Sequence, residues 1–123
     1  MKFIKGIFNE ETGVSTVILK DKQNNLYKGK AYLHPDDKPY ASQFAGCRLA
    51  EYRAWIKYYQ YQRRIKKYQL QALENLGKDI KDCSFLDLKF KHTFWTHIKN
   101  YHKEIKEYEN NIKELKKLIK NTL

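Results

Sequence analysis

Phe94, Ile98, Tyr101, Ile105, Tyr108, Ile112, Leu115 and Ile119 follow one another in alternating steps of four and three, without a break. A repeat averaging 3.5 residues keeps one helical face apolar, and polar or charged residues fill most positions between. The last third of the chain is therefore committed to a long helix, which needs a second helix laid along that face.

The partner lies upstream. Between Ser42 and about Leu76 only Gly46 disfavours a helix. On a 3.6-residue wheel Cys47, Ala50, Ala54, Tyr58, Tyr61, Ile65, Tyr68, Ala72 and Leu76 share one stripe. Leu49, Tyr52, Ile56 and Tyr59 form a shorter stripe nearly opposite, which ends at Tyr59. The expectation is that the long stripe meets the 94–119 seam as an antiparallel hairpin, with the reversal around Gly77–Ser84. The short stripe is then left for a sheet. Ser84 with Asp87 resembles a capping box, whereas Leu86, Leu88 and Phe90 alternate like a strand; both readings of 84–91 stand.

The first third supplies the sheet. KFIKGIF (2–8), VSTVILKD (14–21) and LYKGKAYL (26–33) are strand-like runs. NEETG ends in Gly13, and KQNN offers asparagines that tolerate positive φ. Connections this short give a three-stranded antiparallel meander. HPDDKPYAS (34–42) ends it, and Asp37 or Ser42 can cap the helix that follows. The predicted fold is α+β, a meander packed on a long helical hairpin. The 123 residues make one domain, with the meander over 1–34 and helices over 42–80 and 85–121. At 1.5 Å per residue the first helix is roughly 50 Å long, so its far half is expected to project as a two-helix arm.

Composition narrows the setting. Hydrophobic residues make up 41% and charged residues 32%, which predicts a thin core; ten tyrosines argue against disorder. No run approaches the ~20 apolar residues that span a bilayer, and MKFIKGIFNEETG has no signal-peptide core. Cys47 and Cys83 lie far apart and match no metal spacing, so both read as small, buried or half-buried residues in a reducing compartment. A cytoplasmic protein is expected.

Candidate chemistry is sparse. His34, Pro35, Asp36 and Asp37 gather a histidine with two carboxylates, but Pro35 fixes the backbone between them and aspartates are common helix caps. His92, His97 and His102 recur every five residues, which places them on different helix faces. There is no phosphate loop, no activated cysteine and no GxSxG frame around Ser42. A non-enzymatic protein without metal or cofactor is expected.

Charge is the strongest functional signal. The net charge is +11, and over residues 48–67 seven cations (Arg48, Arg53, Lys57, Arg63, Arg64, Lys66, Lys67) face Glu51 alone. Arg53, Lys57, Arg63, Arg64, Lys66 and Lys67 are the candidate partner-binding residues. If the long stripe is buried, Arg63, Lys66 and Lys67 lie on the solvent side, flanked by Arg53 and Arg64. Tyr58, Tyr61 and Tyr68 then belong to the seam, leaving charge without aromatics. Such a strip suits a phosphate backbone or an acidic protein surface, with little sequence reading. The competing reading is a solvated helix face, which the paired arginines make less economical.

GKAYLHPDDKPYASQFAGCRLAEYRAWIKYY (29–59) resembles a pattern in small proteins of phages and mobile elements of Gram-positive bacteria. There a strand ending in Gly-x-Ala enters a His/Cys-Pro-Asp/Glu-Asp turn, and a helix with Gly, Ala and Arg-Ala follows. The matching residues are Gly29, Ala31, His34, Pro35, Asp36, Asp37, Gly46, Ala50, Arg53 and Ala54. The resemblance implies a phage-type accessory factor in the host cytoplasm. By analogy with anti-CRISPR and other anti-defence inhibitors, it would bind a nuclease, a nucleoprotein or guide RNA or DNA. A DNA mimic would be acidic, so mimicry is set aside. The alternatives are a stand-alone nucleic-acid-binding protein and a homodimeric coiled-coil module.

Overall fold

A computed structural model describes residues 2–9, 13–32, 43–81 and 88–122. Strands β1 (Lys2–Asn9), β2 (Val14–Lys20) and β3 (Leu26–Tyr32) precede helices α1 (Gln43–Lys81) and α2 (Leu88–Thr122). The sheet is an antiparallel meander in the order β1-β2-β3. It packs against helix, giving the α+β fold that the strand runs and heptads predict. The His34–Asp37 turn, the caps Asp37 and Ser42, Cys83 and the 84–87 part of the ambiguous segment lie outside the described residues; from Leu88 the chain is helical.

Turn chemistry fixes the meander. Gly13 (φ 70°) and Asn24 (φ 67°) both take the left-handed region, as glycine and asparagine do at least cost. Asp21 organises the β2–β3 turn. Its Oδ1 accepts from the backbone N–H of Gln23 (2.8 Å) and Asn25 (2.9 Å), and its Oδ2 accepts from Asn25 Nδ2 (3.1 Å) and the Tyr27 hydroxyl (2.8 Å). Burial acts to raise this carboxyl's pKa, but these hydrogen bonds, Tyr27 foremost, outweigh it and hold the pKa below the ordinary value.

Contacts group the chain into two units: Met1–Tyr59 with Asn111–Leu123, and Gln60–Asn110. In the first, Val17, Leu19, Tyr27, Ala31, Ala50 and Ala54 form the buried cluster, with Cys47, Leu49, Trp55 and Tyr58 packed on it. Burying a side chain such as Leu19 stabilises by about 1.5–3 kcal/mol. Tyr58 meets Tyr27 edge-on, with ring centroids 5.3 Å apart. The sheet therefore sits on the Cys47–Ala50–Ala54–Tyr58 stripe, which corrects the expectation that Leu49, Tyr52, Ile56 and Tyr59 would carry it. The physical reason is backbone proximity. A Cβ on Gly29 would run into the carbonyl oxygen of Ala50 and the amide of Ala54, so only a small-residue stripe admits the strand this close. Gly46 is held similarly against the Ser15 side chain, and Arg53 Nη1 donates to the Lys30 carbonyl at 2.6 Å. Gly29, Ala31, Gly46, Ala50, Arg53 and Ala54 thus build the sheet–helix contact.

In the second unit Leu70, Phe94, Ile98 and Ile105 form the cluster, joined by Leu73 and Tyr101. Gly77 lies under Phe94 and Trp95, His102 Nε2 is 3.2 Å from Glu74, and Lys67 is 3.6 Å from Glu109. Partner numbers fall along one helix as they rise along the other, so the hairpin is antiparallel. All eight residues of the Phe94–Ile119 heptad are buried or half-buried. The α1 partners of its Phe94–Ile105 half are Leu70, Leu73 and Gly77, not the long stripe: Tyr61 is 38%, Tyr68 73% and Leu76 50% exposed. These α1 positions continue the register Tyr52–Ile56–Tyr59, whose next two members, Arg63 and Lys66, are polar. That interruption makes the short stripe look finished at Tyr59.

Candidate nucleic-acid interface

Once α2 has claimed the Leu70–Leu73–Gly77 side, helical spacing decides which α1 residues remain outside. Gln60, Arg63, Arg64, Lys67, Tyr68 and Gln71 follow at three, four, seven, eight and eleven residues, which places them on one face. They line an open cleft of about 610 Å³. Arg64 and Tyr68 are exposed and Arg63 is half-buried. Among the described residues no ion pair or hydrogen bond engages either arginine. The Lys67 ammonium lies 3.6 Å from Glu109, but both side chains are about half exposed (56% and 45%), so the pair is weak and leaves the lysine available.

Three of the six predicted site residues, Arg63, Arg64 and Lys67, are thus brought together. Lys66 is not one of them, a correction of its expected solvent-side position. It turns into the hairpin, where its Nζ is 2.9 Å from Glu104 Oε2 and 4.6 Å from the centroid of the Tyr101 ring. Burial pulls the Lys66 pKa down, yet the Glu104 carboxylate beside it wins and holds it above the ordinary lysine value. Glu104 Oε2 is shielded from solvent and receives no well-angled hydrogen bond, so the Lys66 charge is its compensation. Arg53 and Lys57 belong to the other unit. Arg53 is half-buried and tethers α1 to β3, while Lys57 is exposed.

Exposure of Tyr61 and Tyr68 overturns the expectation of a cationic strip without aromatics. Tyr68 stands beside Arg64 and Lys67 on the cleft, so the face offers fixed positive charge, an aromatic plane and two side-chain amides together. Helical spacing alone could have found this set, had the seam been assigned through Arg63 and Lys66.

The first unit has its own cleft, of about 490 Å³, between the Arg48–Tyr59 stretch of α1 and Asn111, Glu114, Leu115 and Leu118 of α2. The Trp55 and Tyr59 rings stack there, with centroids 5.8 Å apart at 27°. Trp55 escaped the sequence reading because it lies on neither apolar stripe. Among the described residues no three His, Cys, Asp or Glu side chains are grouped so as to hold a metal ion. Of the described helices none is long and apolar enough to cross a membrane.

No family model, curated protein or solved structure matches the chain.

Proposed function

We propose that the protein is a non-enzymatic nucleic-acid-binding protein that holds the strand on the 60–71 face of α1. The observation that carries this reading is the joint exposure of Arg64, Lys67 and Tyr68 beside Arg63 on one cleft. Arginine forks suit phosphate oxygens bidentately, and an exposed aromatic gives a base a surface to stack on. Gln60 and Gln71 add donors and acceptors at the two ends of the face. An acidic protein surface would also satisfy the cations; the ring set between them, open for a base to stack on, favours a nucleic-acid strand. In the phage setting that the resemblance implies, the same face would serve an anti-defence, anti-CRISPR-like inhibitor by occupying guide or target strands.

The test is fluorescence anisotropy with labelled single- and double-stranded DNA and RNA over a salt series. Arg63→Ala with Arg64→Ala is expected to flatten the plot of log affinity against log salt by about two, one for each lost phosphate contact. Failure of every nucleic acid to bind at low salt would remove the proposal and leave the acidic protein surface.

A further inference from the structure

The sheet has one face on the helix and one open, and burial alternates accordingly. Ser15, Val17, Leu19, Tyr27, Gly29 and Ala31 are buried, whereas Lys28, Lys30 and Tyr32 are exposed and Thr16, Ile18 and Lys20 half-exposed. Strand register assembles the open face row by row. Ile18 stands between Lys5 on β1 and Lys28 on β3, and Thr16 stands between Ile7 and Lys30. Val14 pairs with Tyr32, and Lys20 with Leu26.

We infer that this open sheet face is a second polyanion-binding surface, whose occupant is single-stranded nucleic acid. Lys5, Lys20, Lys28 and Lys30 share it, and no aspartate or glutamate occurs in any of the three strands. Among the described residues none of the four lysines meets a carboxylate within ion-pair distance. Asp21, in the adjoining turn, spends its oxygens on that turn. Like charges on neighbouring strands of one face repel, and among the described residues no carboxylate offsets them. A phosphate backbone would. Apolar groups lie among the cations: Tyr32 is 72% exposed, Leu26 58% and Ile7 42%. A duplex keeps the faces of its bases stacked inside, whereas a single strand turns out bases that Tyr32 and the aliphatics can cover.

The inference rests on the reading of the chain as a nucleic-acid binder, but it uses residues the α1 face does not. Binding of an oligothymidylate about 16 nucleotides long is measured over a salt series for three variants. The triple variant Lys5→Gln/Lys28→Gln/Lys30→Gln is expected to flatten the salt slope by about two. Tyr32→Ala is expected to weaken binding about five- to hundredfold with the slope kept. Arg63→Ala/Arg64→Ala supplies the reference loss from the α1 face. If the lysine and Tyr32 variants bind as the parent does while the arginine variant fails, the sheet face is idle and only the α1 site survives. If no variant and no parent protein binds, both readings fall. Loss of binding to phosphatidylserine vesicles with oligonucleotide binding intact would also overturn the inference, in favour of a lipid surface.

Discussion

Lys66 Nζ lies 2.9 Å from Glu104 Oε2, and Lys66 occupies a position in the α1 seam register where an apolar residue would otherwise fall. Removing one member leaves the other half-shielded and uncompensated. Glu104→Ala is expected to lower stability by about 1 kcal/mol in chemical denaturation. Replacing both with leucine is expected to match or exceed the parent, because the desolvation cost disappears with the charges. A double variant weaker than Glu104→Ala would contradict this account.

The same pair sets an alkaline limit. The folded pKa of Lys66 is raised above the ordinary lysine value of 10.5, so its contribution is complete below that value and is lost as pH rises through the folded pKa. The parent is therefore expected to lose stability above about pH 10.5 through a component absent from Lys66→Met, compared by urea midpoints at each pH.

Gly29 and Gly46 separate backbone from side-chain clashes. A Cβ at Gly29 meets the Ala50 carbonyl and the Ala54 amide, so Gly29→Ala is expected to cost about 3 kcal/mol, and Ala50→Gly should not rescue it. At Gly46 the main obstacle is the Ser15 hydroxyl, with Ser15 Cβ tight at 3.3 Å and needing to give by a few tenths of an ångström. Ser15→Ala should recover most of the loss in Gly46→Ala. Thermal unfolding of the four variants measures the contrast.

Much of this architecture is legible in the sequence, and the exception has a cause. The α2 seam is legible because each of its eight heptad positions from Phe94 to Ile119 is apolar or tyrosine. On α1 the true seam carries Arg63 and Lys66 at consecutive positions and then Gly77, none of which signals burial. Tyr61, Ile65, Tyr68, Ala72 and Leu76 offer a more regular apolar series at the surface. Periodicity sees only spacing; it cannot see that Glu104 across the hairpin makes Lys66 a seam residue. The candidate site inherited this error. Arg63, Arg64 and Lys67 are identifiable by charge, whereas the stripe that Tyr68 continues points it to the core.

Acid should act on the β2–β3 turn. Asp21 has a depressed pKa, so its contribution is present above the ordinary aspartate value of 3.8 and is lost as pH falls through the lower folded value. Asp21→Ala removes four accepted hydrogen bonds and is expected to lower the unfolding midpoint at neutral pH. The difference from the parent should shrink in strong acid. A difference that stayed constant from neutral pH down to about 2 would show that the charge of Asp21 is not what holds the turn.

Tyr68 and Leu70 are two residues apart on α1, one 73% and the other 7% exposed, and they should fail in opposite ways. Leu70→Ala empties a place in the Phe94–Ile98–Ile105 cluster and is expected to cost about 2–4 kcal/mol of stability. Well below its unfolding midpoint, that variant should still bind oligonucleotide with near-parental affinity. Tyr68→Ala removes an exposed ring and should leave the urea midpoint within about 0.5 kcal/mol of the parent. Its affinity for a single strand should fall by about 1–3 kcal/mol, the contribution of one base stacked on an aromatic ring. Equilibrium denaturation and anisotropy on the same preparations give both quantities. If Tyr68→Ala binds as well as the parent while Arg63→Ala/Arg64→Ala does not, the α1 face holds phosphate by charge alone and the tyrosine is a bystander.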